Sequence, residues 1–225
     1  MEKYGTIPPR FTREWWAYFW EYYKWHTIVT AFILLLAVVT LVQCATKTVY
    51  DMTITYAGEK VFSDEAVTDI NDALAEVIND SDGNGENNIF FQQLTLGMEN
   101  ADPQYEMAMQ TKLMLEFSAG ETFMFIFSKS QMDTYLNQEN CEDLFLPVSE
   151  WVEDESCLED VSLGLSGGEA YAVNLGESAY FKSLGLDMQD QYIVIRQIRA
   201  SEEKDEKFSI QFENAKIAGG YLLSR

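Results

Sequence analysis

Residues 15–45 constrain this chain more than any other segment. Eight aromatic residues fall within the eleven positions 15–25 (WWAYFWEYYKW), and residues 27–45 carry no charge at all. A helix needs roughly 20 mostly apolar residues, rising about 1.5 Å each, to cross the hydrocarbon core of a bilayer. Residues 25–46 supply 22 positions without Asp, Glu, Lys or Arg. Trp and Tyr favour the headgroup level, where an apolar ring and a polar edge are both satisfied. The run therefore predicts an aromatic belt leading into one transmembrane helix at 27–45. The alternative is a buried core helix of a soluble domain. A cleaved signal peptide would need a short basic n-region and a small-x-small cleavage site. The stretch Leu41-Val42-Gln43-Cys44 resembles a lipoprotein signal box, but Gln43 stands where that box wants a small residue.

Charge orients the span. Before it lie Lys3, Arg10, Arg13 and Lys24; beyond it lie 11 basic and 34 acidic residues. The positive-inside rule counts Lys and Arg near the helix ends and places the N-terminus in the cytoplasm. The expected organisation is a cytoplasmic aromatic-rich segment 1–26, a transmembrane helix 27–45 and an extracytoplasmic domain 48–225. Pro8-Pro9 breaks any earlier helix, and Thr12 is the N-cap expected for the one that follows. The aromatic collar either anchors the span or also docks on a neighbour within the membrane.

The outer part has the size of one domain. Its excess of acid repels nucleic acid and anionic surfaces, so no nucleic-acid partner is expected. Residues 130–181 hold twelve acidic residues and no Lys or Arg. That stretch reads as a solvated surface or as a patch for a cationic partner.

Alternation and helical spacing give a plan for this domain. A strand is expected at 50–56, with Met52, Ile54 and Tyr56 on one face. A helix capped by Ser63 runs to about 79, with Val67, Ile70, Leu74 and Val77 as its stripe. A strand follows at 89–96. Asp102-Pro103 begins a helix that ends at Gly120. The apolar run 122–127 (TFMFIF) is a strand buried on both faces. A short helix at 130–136 and a turn capped by Ser149 precede two strands joined at Gly167-Gly168. A helix at 178–184, a strand at 191–198 and a terminal helix at 205–224 complete the plan. Ile54, Ile70, Leu74, Phe90, Phe123, Phe125, Val173, Ile193 and Ile195 are the expected core. Alternation of strands and helices predicts an α/β domain with a mostly parallel sheet covered by helices.

The run YGTIPPRFTREWWAYFWEYYKWH, the span and the Tyr56-Ala57-Gly58 strand end resemble a family of uncharacterised single-pass membrane proteins of clostridia and related Gram-positive bacteria. The resemblance covers most of the chain and implies location more than chemistry. ETFMFIFSKSQMDTYLNQENCEDLFLPVSEW and GEAYAVNLGESAYFKSLG are more loosely similar to segments of one lobe of extracellular solute-binding proteins. A single lobe would keep the sheet and lose half of the pocket.

One motif carries chemistry. In Asp80-Ser81-Asp82-Gly83-Asn84-Gly85-Glu86, oxygen ligands recur at alternate positions and Gly85 permits the sharp turn, as at the start of an EF-hand loop. Asp80, Asp82, Asn84 and the Glu86 carbonyl are the expected Ca²⁺ ligands. Position 12 is Phe91 in place of the bidentate Glu, so a distant acid would have to complete the shell. The alternative is an ordinary Gly/Asn/Asp turn.

Other chemistry is sparse. His26 is the only histidine and lies at the membrane edge, which excludes a Ser-His-Asp triad or a His-based zinc site in the outer domain. Cys141 and Cys157 either bridge or stay reduced. Two functional classes follow. One is a membrane-anchored extracytoplasmic protein-interaction subunit; the other is a membrane-tethered module for a small solute. No catalytic role is expected. A solute would sit at the carboxyl ends of the strands, near Tyr56, Gly58, Gly97 and Ser128.

Overall fold

A computed structural model describes residues 9–45, 48–138, 141–152, 158 and 161–223. The chain divides into two compact units, Met1–Thr48 and Val49–Arg225.

The described residues of the first unit hold one helix, α1 (Arg13–Ala45). Thr12 caps it, its hydroxyl oxygen accepting from the Trp15 N–H at 3.2 Å. The helix is long and apolar enough to cross a membrane, by length and composition. Its 33 residues rise about 50 Å, more than the roughly 30 Å hydrocarbon core of a bilayer. The aromatic segment is continuous with the apolar one. Trp15, Phe19 and Tyr23, four residues apart, stack in a ladder with centroids 5.4 and 5.5 Å apart.

The second unit is an α/β domain. Its elements are β1 (Met52–Gly58), α2 (Asp64–Ala75), β2 (Ile89–Thr95), α3 (Pro103–Ala119), β3 (Met124–Ser128), α4 (Lys129–Leu136), α5 (Cys141–Leu144), β4 (Leu163–Ser166), β5 (Glu169–Asn174), α6 (Ala179–Ser183), β6 (Gln191–Ile195) and α7 (Glu206–Leu223). The strands form one sheet in the order β2-β1-β3-β6-β5-β4.

Several boundaries follow local chemistry. Ser63 caps α2 by accepting from the Ala66 N–H, Asp102 caps α3 ahead of Pro103, and Ser178 caps α6. Gly167 and Gly168 both have positive φ, 59° and 91°, which the tight β4–β5 turn requires. Helix α2 stops short of the expected residue 79. The Asn87 side-chain amide donates to the Ala75 and Ile78 carbonyls and takes up the helix end.

The sheet is mixed, not mostly parallel. β1 runs parallel to β2 and to β3, whereas β3–β6, β6–β5 and β5–β4 are antiparallel. The apolar runs of β3 and β6 report burial on both faces, and such burial does not specify direction. Direction comes from the connections. The two-residue turn reverses β4 into β5, and β6 starts opposite the end of β3, with Gln191 paired to Ser128.

Two apolar layers flank the sheet. On one face Met52, Ile54, Tyr56, Met124, Ile126, Ile193 and Ile195 meet Ile70 and Leu74 of α2 and Ala215, Ala218 and Leu222 of α7. On the other, Ala57, Leu94, Phe125, Phe127 and Val194 meet Leu113 of α3, Met132 of α4 and Phe145. The expected core residues are buried except Phe90, which is 40% exposed and packs on Tyr50 with ring centroids 5.1 Å apart. β2 is an edge strand whose Ile89 and Phe91 point inward, so alternation turns Phe90 out. Ser149 lies inside a 3₁₀ turn, Val148–Glu150, and does not cap one. Gly219 lets α7 approach Trp151: a Cβ there would fall 2.8 Å from the indole ring.

Candidate functional site

The acidic loop follows the end of α2 and leads into β2. Its side chains form a ladder of Asx turns. Asp80 accepts from the Asp82 N–H at 3.1 Å, the Gly83 N–H at 2.7 Å and the Gly85 N–H at 2.7 Å. Asp82 accepts from the Asn84 N–H at 3.0 Å, and Asn84 Oδ1 accepts from the Glu86 N–H at 2.6 Å. Gly83 and Gly85 adopt φ of 73° and 85°, which side-chain-bearing residues rarely reach. The Gly85 N–H, followed by those of Gly83 and Asp82, holds the Asp80 carboxyl below its ordinary range.

The distant acid is Asp51, immediately before β1. Carboxylate oxygens of Asp51, Asp80 and Asp82 lie within 4.8 Å of one another, a group that could hold a metal ion. Two oxygens on one Ca²⁺, each 2.3–2.6 Å from it, are separated by at most about 5 Å, so the spread fits a single ion. The donor set is all oxygen, which suits a hard cation. Sequence spacing alone did not single out Asp51. It enters because β1 and β2 are neighbours and Met52 pairs with Ile89. Its two oxygens also accept from the Ser81 N–H and hydroxyl and from the Asn88 N–H, all at 2.7 Å. Asn84 and Glu86 belong to the same loop. Phe91, at the place of the twelfth EF-hand ligand, is buried in the core.

The other predicted site lies at the opposite end of the strands. β1 leads through α2 to β2 on one side and lies beside β3 on the other, so the switch point falls between β1 and β3. Tyr56, Gly58 and Ser128 do come together there. The Tyr56 ring occupies the space: a Cβ on Gly58 would fall 2.5 Å from the phenol oxygen and 2.9 Å from Ser128 Cβ. The hydroxyl donates to Gln191 Oε1 at 3.1 Å and accepts from the Lys60 N–H at 2.8 Å. Burial pushes its pKa up to about 12. Lys60 pairs across this end with Asp187, Nζ to Oδ2 at 3.5 Å. Gly97 stands one strand further out. It is exposed, beside Glu59, with its N–H donating to Glu106 at 2.7 Å.

Cys141 is a buried free thiol, and burial raises its pKa. Cys157 lies outside the described residues, and so does the predicted pairing.

Sequence reasoning also missed a buried ion pair. Arg196, just past β6, donates two parallel bonds to Glu202 at 3.0 and 3.1 Å, gives Nε–H to the Thr122 carbonyl at 3.0 Å and stacks 4.5 Å over Phe123. Desolvation opposes the charge on both groups. At Glu202 the hydrogen bonds from Arg196 and from the Arg199 N–H outweigh it, so the carboxyl stays ionised and its pKa is lowered.

No protein-family model matches the chain, and no curated protein matches it.

Proposed function

We propose that this protein is a single-pass membrane protein with a cytoplasmic N-terminus and an extracytoplasmic α/β domain that binds another protein. Span and orientation rest on the uncharged run 27–45 and on the Lys/Arg bias at its ends. The observation that carries the choice of a protein partner over a solute is the Tyr56 ring. In an open α/β sheet the switch point is where a small ligand would sit. Here the protein's own phenol fills that place, with its hydroxyl bonded on both sides. A solute would have to displace a buried, hydrogen-bonded aromatic residue.

The acidic loop complements this role. In our reading Asp51, Asp80 and Asp82 hold Ca²⁺ together with Asn84 and the Glu86 carbonyl. The ion would supply positive charge to three converging carboxylates and tie the approach to β2 to the start of β1. With the position-12 Glu missing, the affinity expected is that of extracellular modules, roughly 10⁻⁴–10⁻³ M.

Crosslinking in intact cells that produce the full chain tests the reading. The expected result is a discrete crosslinked species with one protein neighbour. Recovery of monomer alone, with a small molecule retained in native mass spectrometry, would replace it with the solute-binding alternative.

A further inference from the structure

Helix α3 meets the sheet through Met109, Leu113 and Phe117, spaced four residues apart. The opposite face consists of Gln104, Met107, Ala108, Thr111, Met114, Leu115 and Ser118. All seven are exposed and none is charged. A surface helix ordinarily turns its charged residues outward. This one keeps Glu106, Lys112 and Glu116 off that face and exposes Met107 by 71%, Met114 by 67% and Leu115 by 58%. Three large apolar side chains are thus presented to solvent, a stripe among the uncharged Gln104, Thr111 and Ser118.

The surroundings of the stripe are mainly acidic, with the exposed Lys112 of α3 at one border. Exposed Glu99 and Asp102 stand at the N-terminal end of α3. On its flank, Phe117 packs on Tyr135 of α4 with centroids 5.1 Å apart. The exposed acids Asp133, Glu142 and Asp143 belong to α4 and α5 there. They open the stretch 130–181, which has twelve acids and no Lys or Arg. Methionines are flexible and polarizable and suit an adaptable contact surface.

We infer that the outward face of α3 is the docking surface for a basic amphipathic helix of a partner protein. The inference rests on the protein-interaction reading and names its surface. Charge selects the occupant. A second copy of this chain carries the same net charge of −22, and an anionic membrane surface would likewise be repelled. A helix with Leu on one face and Lys or Arg on the other matches both the stripe and its rim.

The test uses the full chain in phosphatidylcholine nanodiscs and a fluorescent Leu/Lys model helix read by anisotropy. A Leu/Glu analogue and the variant Met114→Gln/Leu115→Gln serve as comparisons. Both substituted residues are exposed, and an unchanged melting temperature verifies the fold of the variant. The expected result is saturable binding of the basic helix, at least tenfold weaker for the variant and for the acidic analogue. Equal binding by wild type and variant would overturn the inference. So would a wild-type dimer in sedimentation that the substitutions dissociate, since the face would then belong to a second copy. In intact cells, a neighbour that crosslinks equally to wild type and variant would sink this surface and leave the protein-interaction reading standing. Absence of any neighbour with wild type would remove that reading itself.

Discussion

The carboxylate of Asp51 closes a loop thirty residues away, its Oδ1 accepting from both the N–H and the hydroxyl of Ser81 at 2.7 Å. This contact gives the acidic loop a fixed position against β1, and Asn214 of α7 reinforces it. The Asn214 side-chain amide donates to the Asp51 carbonyl at 3.1 Å and to the Asn79 carbonyl at 2.7 Å.

Calcium should therefore stabilise the protein measurably. At 10 mM Ca²⁺ and a dissociation constant of roughly 10⁻⁴–10⁻³ M, the gain is about 1.4–2.7 kcal/mol. Chelation should lower the melting temperature by several degrees, and calorimetry should detect binding. Asp82→Ala should abolish the calcium-dependent part while barely changing the stability of the metal-free protein, because Asp82 is exposed and bonds only within the loop. Absence of any calcium-dependent heat in the wild type would leave residues 80–86 as a turn.

Acid should release this loop late. The Asp80 pKa is lower in the folded protein than its ordinary value of 3.8. The stabilisation it contributes is thus fully present above that value and is lost as pH falls through the folded pKa. Amide protection at Gly83 and Gly85, taken relative to the intrinsic exchange rate at each pH, should hold down to pH 3.8 and fall only below it. Loss of that protection above pH 3.8 would contradict the assigned hydrogen bonds.

Tyr56 and Gly58 should behave as a coupled pair. Tyr56→Phe leaves Gln191 and the Lys60 N–H without their partner and should cost about 1–3 kcal/mol. Gly58→Ala places a methyl 2.5 Å from the phenol oxygen and should also destabilise. The double variant should cost somewhat less than the sum, because Phe removes the nearest atom the methyl meets while Ser128 Cβ and the ring carbon Cζ, both at 2.9 Å, remain. Strict additivity in urea denaturation would show that the phenol oxygen is not what the methyl meets.

Glu202→Ala should be among the most damaging single changes. It strands the Arg196 guanidinium in a site where the side chain is 3% exposed, for which a loss of about 3–5 kcal/mol is expected. Denaturant unfolding measures it, and a loss under 1 kcal/mol would mean that the pair is solvated.

The legibility of this fold divides along range in sequence. Ser63, Asp102 and Ser178 announce helix starts because a cap is made within three residues, and Gly167-Gly168 announces a hairpin for the same reason. Direction in the sheet was not legible, because the apolar runs of β3 and β6 encode burial and leave polarity to the connections. Loop residues Asp80 and Asp82 were readable from alternate spacing, whereas Asp51 joins them only once β1 and β2 are known to pair. The crevice residues Tyr56, Gly58 and Ser128 were placed by strand ends. That Tyr56 would fill the crevice depends on Gln191, 135 residues away.

Topology is the most direct test of the central claim. Protease is added to intact protoplasts producing the full chain with a tag at each end. The C-terminal tag should disappear and a short N-terminal fragment containing α1 should survive until the membrane is permeabilised. Protection of the C-terminal tag in intact protoplasts would contradict an extracytoplasmic domain, and with it the proposed partner-binding role.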